Sequence, residues 1–158
     1  MVPWLVTGWQ LEEPLPHWLP LRIVGLILLA AGVVALLHSF ARFVLEGIGT
    51  PAPVAPTENL VVGGLYRYVR NPMYLAVAAT IVGQALLLGQ PILLLYAVAF
   101  FVVVGAFVRS YEEPALRRQF GAEYEEYRRA VPAWWPRRTP WEAEARTPSP
   151  AGPQARRT

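Results

Sequence analysis

Two short blocks of this 158-residue chain hold most of the side chains that could do chemistry. The first runs from Gly63 to Tyr74, GGLYRYVRNPMY, and the second from Arg109 to Pro114, RSYEEP. Gly63-Gly64 marks a place where backbone can approach a ligand closely. Arg67 and Arg70, three apart, share a face if the stretch is helical. Glutamates set beside arginines suit a polar ligand with both acidic and basic groups. The same residues serve equally well as interfacial anchors and Arg–Glu pairs, and spacing alone leaves both readings open.

Other chemistries are excluded by what the chain lacks. There is no cysteine, so disulfide frameworks, thiolate zinc sites and cysteine nucleophiles are ruled out. His17 and His38, the only histidines, fall on opposite sides of a membrane span, so no histidine metal site can form and none is expected. His38 reads best as a hydrogen-bonding group between helices. No phosphate-binding loop, dinucleotide fingerprint or Ser/His/Asp constellation is present. The net charge of +3 comes from arginine and glutamate alone, and it does not indicate a nucleic-acid partner.

The elements that must position these blocks are written in the hydropathy. Hydrophobic residues make up 54% and charged residues 16%, against roughly 25% charged in soluble domains. Ile23–Ala41 carries no charge and is nearly long enough to cross a bilayer core. Asn71–Val108 is also uncharged, about twice as long, and is broken by Gly89-Gln90-Pro91, a stop followed by a start. Asn71-Pro72 has the form of an N-cap with proline in the first helical turn. The expected fold is therefore an all-α integral membrane protein with about three transmembrane helices, a single span at about 22–45 and a helical hairpin at 72–88 and 91–109. A soluble bundle is the competing architecture, but helices this long without a polar stripe argue against it. Gly25, Ala31, Gly32, Ala78, Ala79 and Gly83 suit close helix contacts in lipid.

Beyond Pro114, the residues Leu116, Phe120, Tyr124, Tyr127 and Val131 recur at helical spacing, which predicts a C-terminal amphipathic interfacial helix, bent at Gly121. Such a helix can lie on the membrane and also fold over the mouth as a lid. Trp134-Trp135 before Pro136-Arg137-Arg138 would end it at the interface. Residues 1–138 make one domain and 139–158 a Pro-rich disordered tail. The first 20 residues lack a basic start and a cleavage site, so an outer interfacial segment is expected there and not a signal peptide. Arg22 alone precedes the first span, leaving 14 − 1 = 13 arginines between the first span and the hairpin or after it. The positive-inside rule then places the N-terminus outside and the C-terminus in the cytoplasm, for a multi-pass protein of the cell (inner) membrane.

The two blocks, GGLYRYVRNPMYLA and YEEPALRRQFGAEYEEYRRAVPAWWP, separated by a helical hairpin, resemble the membrane methyltransferases that include isoprenylcysteine carboxyl methyltransferase and the phospholipid N-methyltransferases. The resemblance runs from about Glu58 to Pro136. It implies methyl transfer from S-adenosyl-L-methionine to a lipophilic acceptor, a carboxylate, amine or thiol, at the cytoplasmic face, with the bilayer and a lipid or small lipophilic substrate as partners. By position it implies cytoplasmic cofactor segments at 58–74 and 109–136. The cofactor shell would be Glu58, Asn59, Leu60, Val61, Tyr66, Asn71, Pro72, Met73, Tyr74 and Glu112, with Glu113 and Arg109 as catalytic candidates. Asn71 stands where the isoprenylcysteine enzymes have histidine, which removes a titratable imidazole. Their substrate-contacting arginine aligns with Val108, and Arg109 lies one step beyond it. A nicotinamide-dependent reductase related to the sterol reductases is the alternative enzyme, disfavoured by Glu112-Glu113. A membrane homologue without catalysis is the alternative of another class.

Overall fold

The computed structural model describes residues 2–8, 11, 18–47 and 59–142, and among them every regular element is helical. A six-residue helix α1 (Val2–Thr7) is followed by the long α2 (Leu19–Gly47), a short 3-10 turn at Gly64–Arg67, α3 (Pro72–Leu88), α4 (Ile92–Phe107), a π-helical turn at Val108–Glu112 and α5 (Glu113–Ala130). The connector 48–58, including Glu58, lies outside the described residues, as do 12–17 and 143–158.

α2 and the helix that begins at Ile92 are both long and apolar enough to cross a membrane, and the 17-residue α3 is a shorter, mostly apolar helix. In the most apolar stretch of each of the two long helices only 17% of residues are buried. A soluble core helix would be covered. Here Leu26, Ile27, Val34 and Leu37 of α2, and Leu95, Val98, Val102 and Val103 of α4, point outward, as a lipid solvent permits. The chain is an all-α integral membrane protein.

α2 and α3 run antiparallel in close contact because both carry glycine at their crossing. A Cβ built on Gly83 would stand 2.6 Å from the Leu29 backbone nitrogen, and one on Gly25 would be 2.6 Å from that of Leu87. No side chain fits there, so dispersion between the two backbones replaces it. At the same end, the Trp18 indole Nε1 donates to the Leu86 carbonyl at 2.8 Å, occupying one of the acceptors left open at the end of α3. Gly89 closes α3 in the left-handed region at φ 71°, and Pro91 precedes Ile92 at the start of α4. The hairpin is thus built as the sequence predicts.

The chain departs from expectation at Pro114. Instead of ending near Val108 and restarting, the helix that starts at Ile92 continues through Ala130. Proline lacks an N–H and its ring crowds the carbonyl four residues back. The π-turn relieves this conflict: it widens the helix just before Pro114, and the Glu113 N–H reaches back to the Val108 carbonyl. The real bend is at Gly121, whose φ of 51° and ψ of −120° are closed to residues with a Cβ. It turns the second half of α5 inward. Tyr124, Tyr127 and Val131 are buried against Leu60, Val62, Leu116, Phe120, Ala130 and Trp141, so the apolar stripe read from the sequence covers the mouth of the helices.

After Ala130 the chain doubles back along the residues before α3. The Arg70 amide donates to the Pro132 carbonyl at 3.0 Å, Arg137 to Tyr68 at 2.9 Å and Trp141 to Arg67 at 2.9 Å. Within the tail expected from Thr139 onward, Trp141 packs on Tyr127 with ring centroids 5.3 Å apart. The Arg67 guanidinium donates to the Trp141 carbonyl at 2.8 Å and to Glu142 at 2.6 Å.

Candidate active site

The two blocks meet. The Asn71–Pro72 start of α3 and the π-turn at the end of α4 are adjacent because the hairpin is tight and antiparallel. Between them lies a cavity lined by Leu60, Val61, Tyr66, Arg70, Asn71, Val108, Glu112 and Glu113, closed on one side by Phe43 of α2 and roofed by Leu116, Tyr124 and Tyr127 of α5. The cavity, open on one side, has a volume of about 60 Å³, room for about four or five waters.

Each polar wall has a traceable cause. The π-turn aims Glu112 inward, where its carboxylate accepts a hydrogen bond from the Tyr74 hydroxyl at 3.1 Å. Burial pushes the Glu112 carboxyl above the usual carboxylate range, and neighbouring Glu113 adds to the rise, while the Tyr74 hydrogen bond and the Arg70 charge oppose it. Arg70 donates through one nitrogen to Glu113 at 2.9 Å and to the Tyr124 hydroxyl at 3.0 Å. Its Nε is buried with no hydrogen-bond partner among the described residues. Such a donor is costly to leave unmet, and it belongs to a residue that lines the cavity. Burial and the nearby Glu112 carboxylate hold the Tyr66 hydroxyl in its neutral form, well above the usual phenol range. The Tyr127 hydroxyl donates to the Tyr66 carbonyl at 2.7 Å, pinning the roof to the floor.

Behind Tyr66, the C-terminal end of α2 supports the loop. Glu46 accepts from the Gly63 amide at 2.8 Å and from Arg42 at 2.9 Å. A Cβ on Gly63 would collide with the Glu46 carboxylate, so the Gly63-Gly64 pair permits close approach to this glutamate. His38 is close to Gly64.

The residues singled out from the sequence divide into three groups. Leu60, Val61, Tyr66, Asn71, Glu112 and Glu113 line the cavity. Pro72, Met73 and Tyr74 lie just behind it in the first turn of α3, with Tyr74 joined to it through Glu112. Asn59 is exposed at the loop's start, Glu58 is outside the described residues, and Arg109 is exposed, one position from the cavity-lining Val108. Asn71 spends its side-chain amide on the Ala133 carbonyl at 3.1 Å. The sequence-derived shell did not include Arg70, Phe43, Tyr124 or Tyr127. A signal for the last two did exist, since they sit on the apolar stripe of α5 and a stripe ending in hydroxyls suits a wet cavity.

The fold and the cavity together define an integral membrane protein with a largely apolar, acid-bearing site at one mouth of its helices, under a kinked helical roof. Residues 21–123 match the sequence profile of the phospholipid methyltransferase family, and the chain belongs to that family. It is similar to protein-S-isoprenylcysteine O-methyltransferase A of Arabidopsis thaliana, 32% identical over 124 residues that cover 73% of this chain and 58% of that protein. It is similar also to protein-S-isoprenylcysteine O-methyltransferase B of the same plant, at 38% over 82 residues, covering 50% of this chain and 40% of the relative. A probable protein-S-isoprenylcysteine O-methyltransferase of Oryza sativa subsp. indica is 39% identical over 77 residues, 47% of this chain and 39% of that one. The chain thus spans about half the length of the curated relatives it matches. No solved structure matches it.

Proposed function

We propose that this protein is a membrane methyltransferase that uses S-adenosyl-L-methionine to methylate a lipophilic acceptor at the cytoplasmic face. The observation that carries the reading is the cavity where both family blocks converge, with Glu112, Tyr66 and Arg70 on its walls. The cofactor bears a carboxylate, an ammonium, a ribose diol and an adenine, and the residues fit it: the unpaired Arg70 Nε suits the carboxylate, Glu112 the ammonium or diol, and Tyr66 with Leu60 and Val61 the base. When bound, the cofactor supplies an already activated methyl group. The chain's own task is then to hold the two reactants in line and keep water out.

Glu112 binds in its charged form, and contact with a cationic ligand group would bring its raised proton affinity back down. Glu113 is committed to Arg70 and, at 3.7 Å, to Arg128, and so fixes the arginine that orients the ligand. Arg109, exposed beside the mouth, meets the polar end of an acceptor arriving along the membrane. An acceptor carboxylate is already ionised at neutral pH and needs no base. The cavity opens on one side and would have to widen to take a nucleoside, and the bend at Gly121 is where the roof of α5 can give way. The arginine asymmetry supports the cytoplasmic assignment of this mouth.

The test is ligand protection followed by product labelling. S-adenosylhomocysteine should raise the unfolding temperature of the purified protein, and Glu112→Gln should remove most of that protection. Methyl-labelled cofactor incubated with membrane extract should label a lipid-soluble product. Protection by NADPH and not by S-adenosylhomocysteine would overturn the proposal in favour of a reductase, and unchanged affinity in Glu112→Gln would move the site elsewhere.

A further inference from the structure

The return segment after α5 contains Pro132-Ala133-Trp134-Trp135-Pro136, and its two tryptophans are treated differently. Trp134 packs on Phe101 of α4, ring centroids 5.5 Å apart and planes at 54°. Phe101 lies six residues before Phe107, the last residue of α4, which at 1.5 Å per residue is about 9 Å back along the span. Trp135, next to it, is 81% exposed, the most exposed of the large apolar side chains described. Beside Phe101 in α4, Val98 and Val102 are also exposed, so the turn that Trp134 anchors to Phe101 lies next to an apolar surface open to lipid. Arg138, three residues on, is exposed. An indole with a polar N–H at the edge of an apolar face, followed by an exposed guanidinium, matches the boundary between hydrocarbon and phosphate.

We propose that the Pro132–Pro136 turn is a membrane-docking wedge. Trp135 seats in the leaflet at the headgroup boundary, and Arg138 takes an anionic lipid phosphate above it. The same turn is part of the site's frame. Its Pro132 carbonyl holds the Arg70 amide at 3.0 Å and its Ala133 carbonyl holds the Asn71 side chain at 3.1 Å. Seating the turn in lipid therefore fixes the two cavity residues that begin α3, and Asn71 acts as a positioning residue between bilayer and cavity. The inference rests on the membrane fold and not on the identity of the cofactor.

The absence of cysteine makes the test direct. Trp135→Cys, nitroxide-labelled and reconstituted in phosphatidylcholine–phosphatidylglycerol vesicles, carries the only label, and the parent side chain is exposed, so the fold is kept. Its access to oxygen and to a nickel chelate is compared with Val102→Cys on α4 and Glu126→Cys on α5. The expected result is oxygen access above that at Glu126 and nickel access below it, each between the Glu126 and Val102 values, as at a site just inside the headgroups. Nickel access equal to that at Glu126, or shielding from both reagents as a second copy of the chain would give, overturns the proposal. Hydrogen exchange at the Arg70 amide reads the link to the cavity: it should quicken about fivefold or more in Trp135→Glu and return to the parent rate in Trp135→Phe. Equal rates in all three overturn the link. Neither measurement needs methyl transfer, so failure here and failure of the proposed activity are told apart.

Discussion

Removing one oxygen atom, in Tyr127→Phe, tests whether the roof over the cavity is held by a specific bond or by apolar packing alone. The Tyr127 hydroxyl donates to the Tyr66 carbonyl at 2.7 Å, and the tyrosine is only 3% exposed. Burial pushes this hydroxyl well above the usual phenol range, so it stays a donor at any working pH. Phenylalanine keeps the ring and its contact with Trp141, and leaves the Tyr66 carbonyl without this donor. Losing a bond of this kind costs about 1–2 kcal/mol. Applied to local opening of the roof, that is about a 5–30-fold increase in the open population. The assay is site-resolved hydrogen exchange under conditions where opening is at equilibrium. The amides of Arg70, Val131, Arg137 and Trp141, which bond across or beside the roof, should accelerate by that factor, while those of α2 and α3 at the Gly25–Gly83 crossing should not change. Acceleration at the crossing as well would mean the roof does not open separately. No acceleration anywhere would mean that apolar contact alone holds it.

Other substitutions probe other joints. Gly83→Ala should destabilise the protein by about 1–3 kcal/mol, read from thermal unfolding in detergent, because the new methyl meets the Leu29 backbone and not a side chain that can move. Gly105→Ala on α4, where a Cβ meets nothing within 4 Å, should be neutral or stabilising by about 0.5–1 kcal/mol. Gly121→Ala should cost about 1–2 kcal/mol through backbone strain alone, since its Cβ would also be unobstructed, and should weaken S-adenosylhomocysteine binding measured by calorimetry. The raised proton affinity of Glu112 makes the native state hold a proton that the unfolded chain has released, so its contribution to stability falls as pH rises from about 4.3 towards the folded value. Unfolding temperatures of Glu112→Gln should lack that component, and identical pH profiles for variant and parent would show that the carboxyl is not perturbed.

Much of the scaffold could be read locally. Gly89-Gln90-Pro91, Pro72 in the first turn of α3 and the small residues at the α2–α3 crossing are signals that act within one turn of helix or between two faces, and each behaves as its chemistry requires. The bend at Gly121 belongs with them. Asn71 stands at the N-cap position of α3 but makes no side-chain cap, its amide being drawn to the Ala133 carbonyl. The π-turn was not legible, because Pro114 has two outcomes, a break or a widened helix, and the choice depends on how α5 packs over Leu60 and Val62. That one choice also decides which residue faces the cavity: a π-turn shifts the register, leaving Val108 and Glu112 inside and Arg109 outside. The docking of Trp141 was hidden by composition, since a Pro-rich stretch can pair its backbone with a distant segment without any periodic pattern. Glu46 was invisible for a similar reason. Its partner is a backbone amide across an unpatterned connector.

The return of Val131–Glu142 along Arg67–Asn71 bears on how the protein is made. During synthesis the membrane-crossing helices leave the ribosome before the segment that completes the floor and roof of the cavity. A nascent chain that has just released α4 can already be inserted, yet the amide of Arg70 and the side chain of Asn71 still await Pro132 and Ala133. The site therefore matures last, after insertion, and a polypeptide cut short beyond its final span would be an anchored but unfinished intermediate, with its polar mouth open to the quality-control machinery.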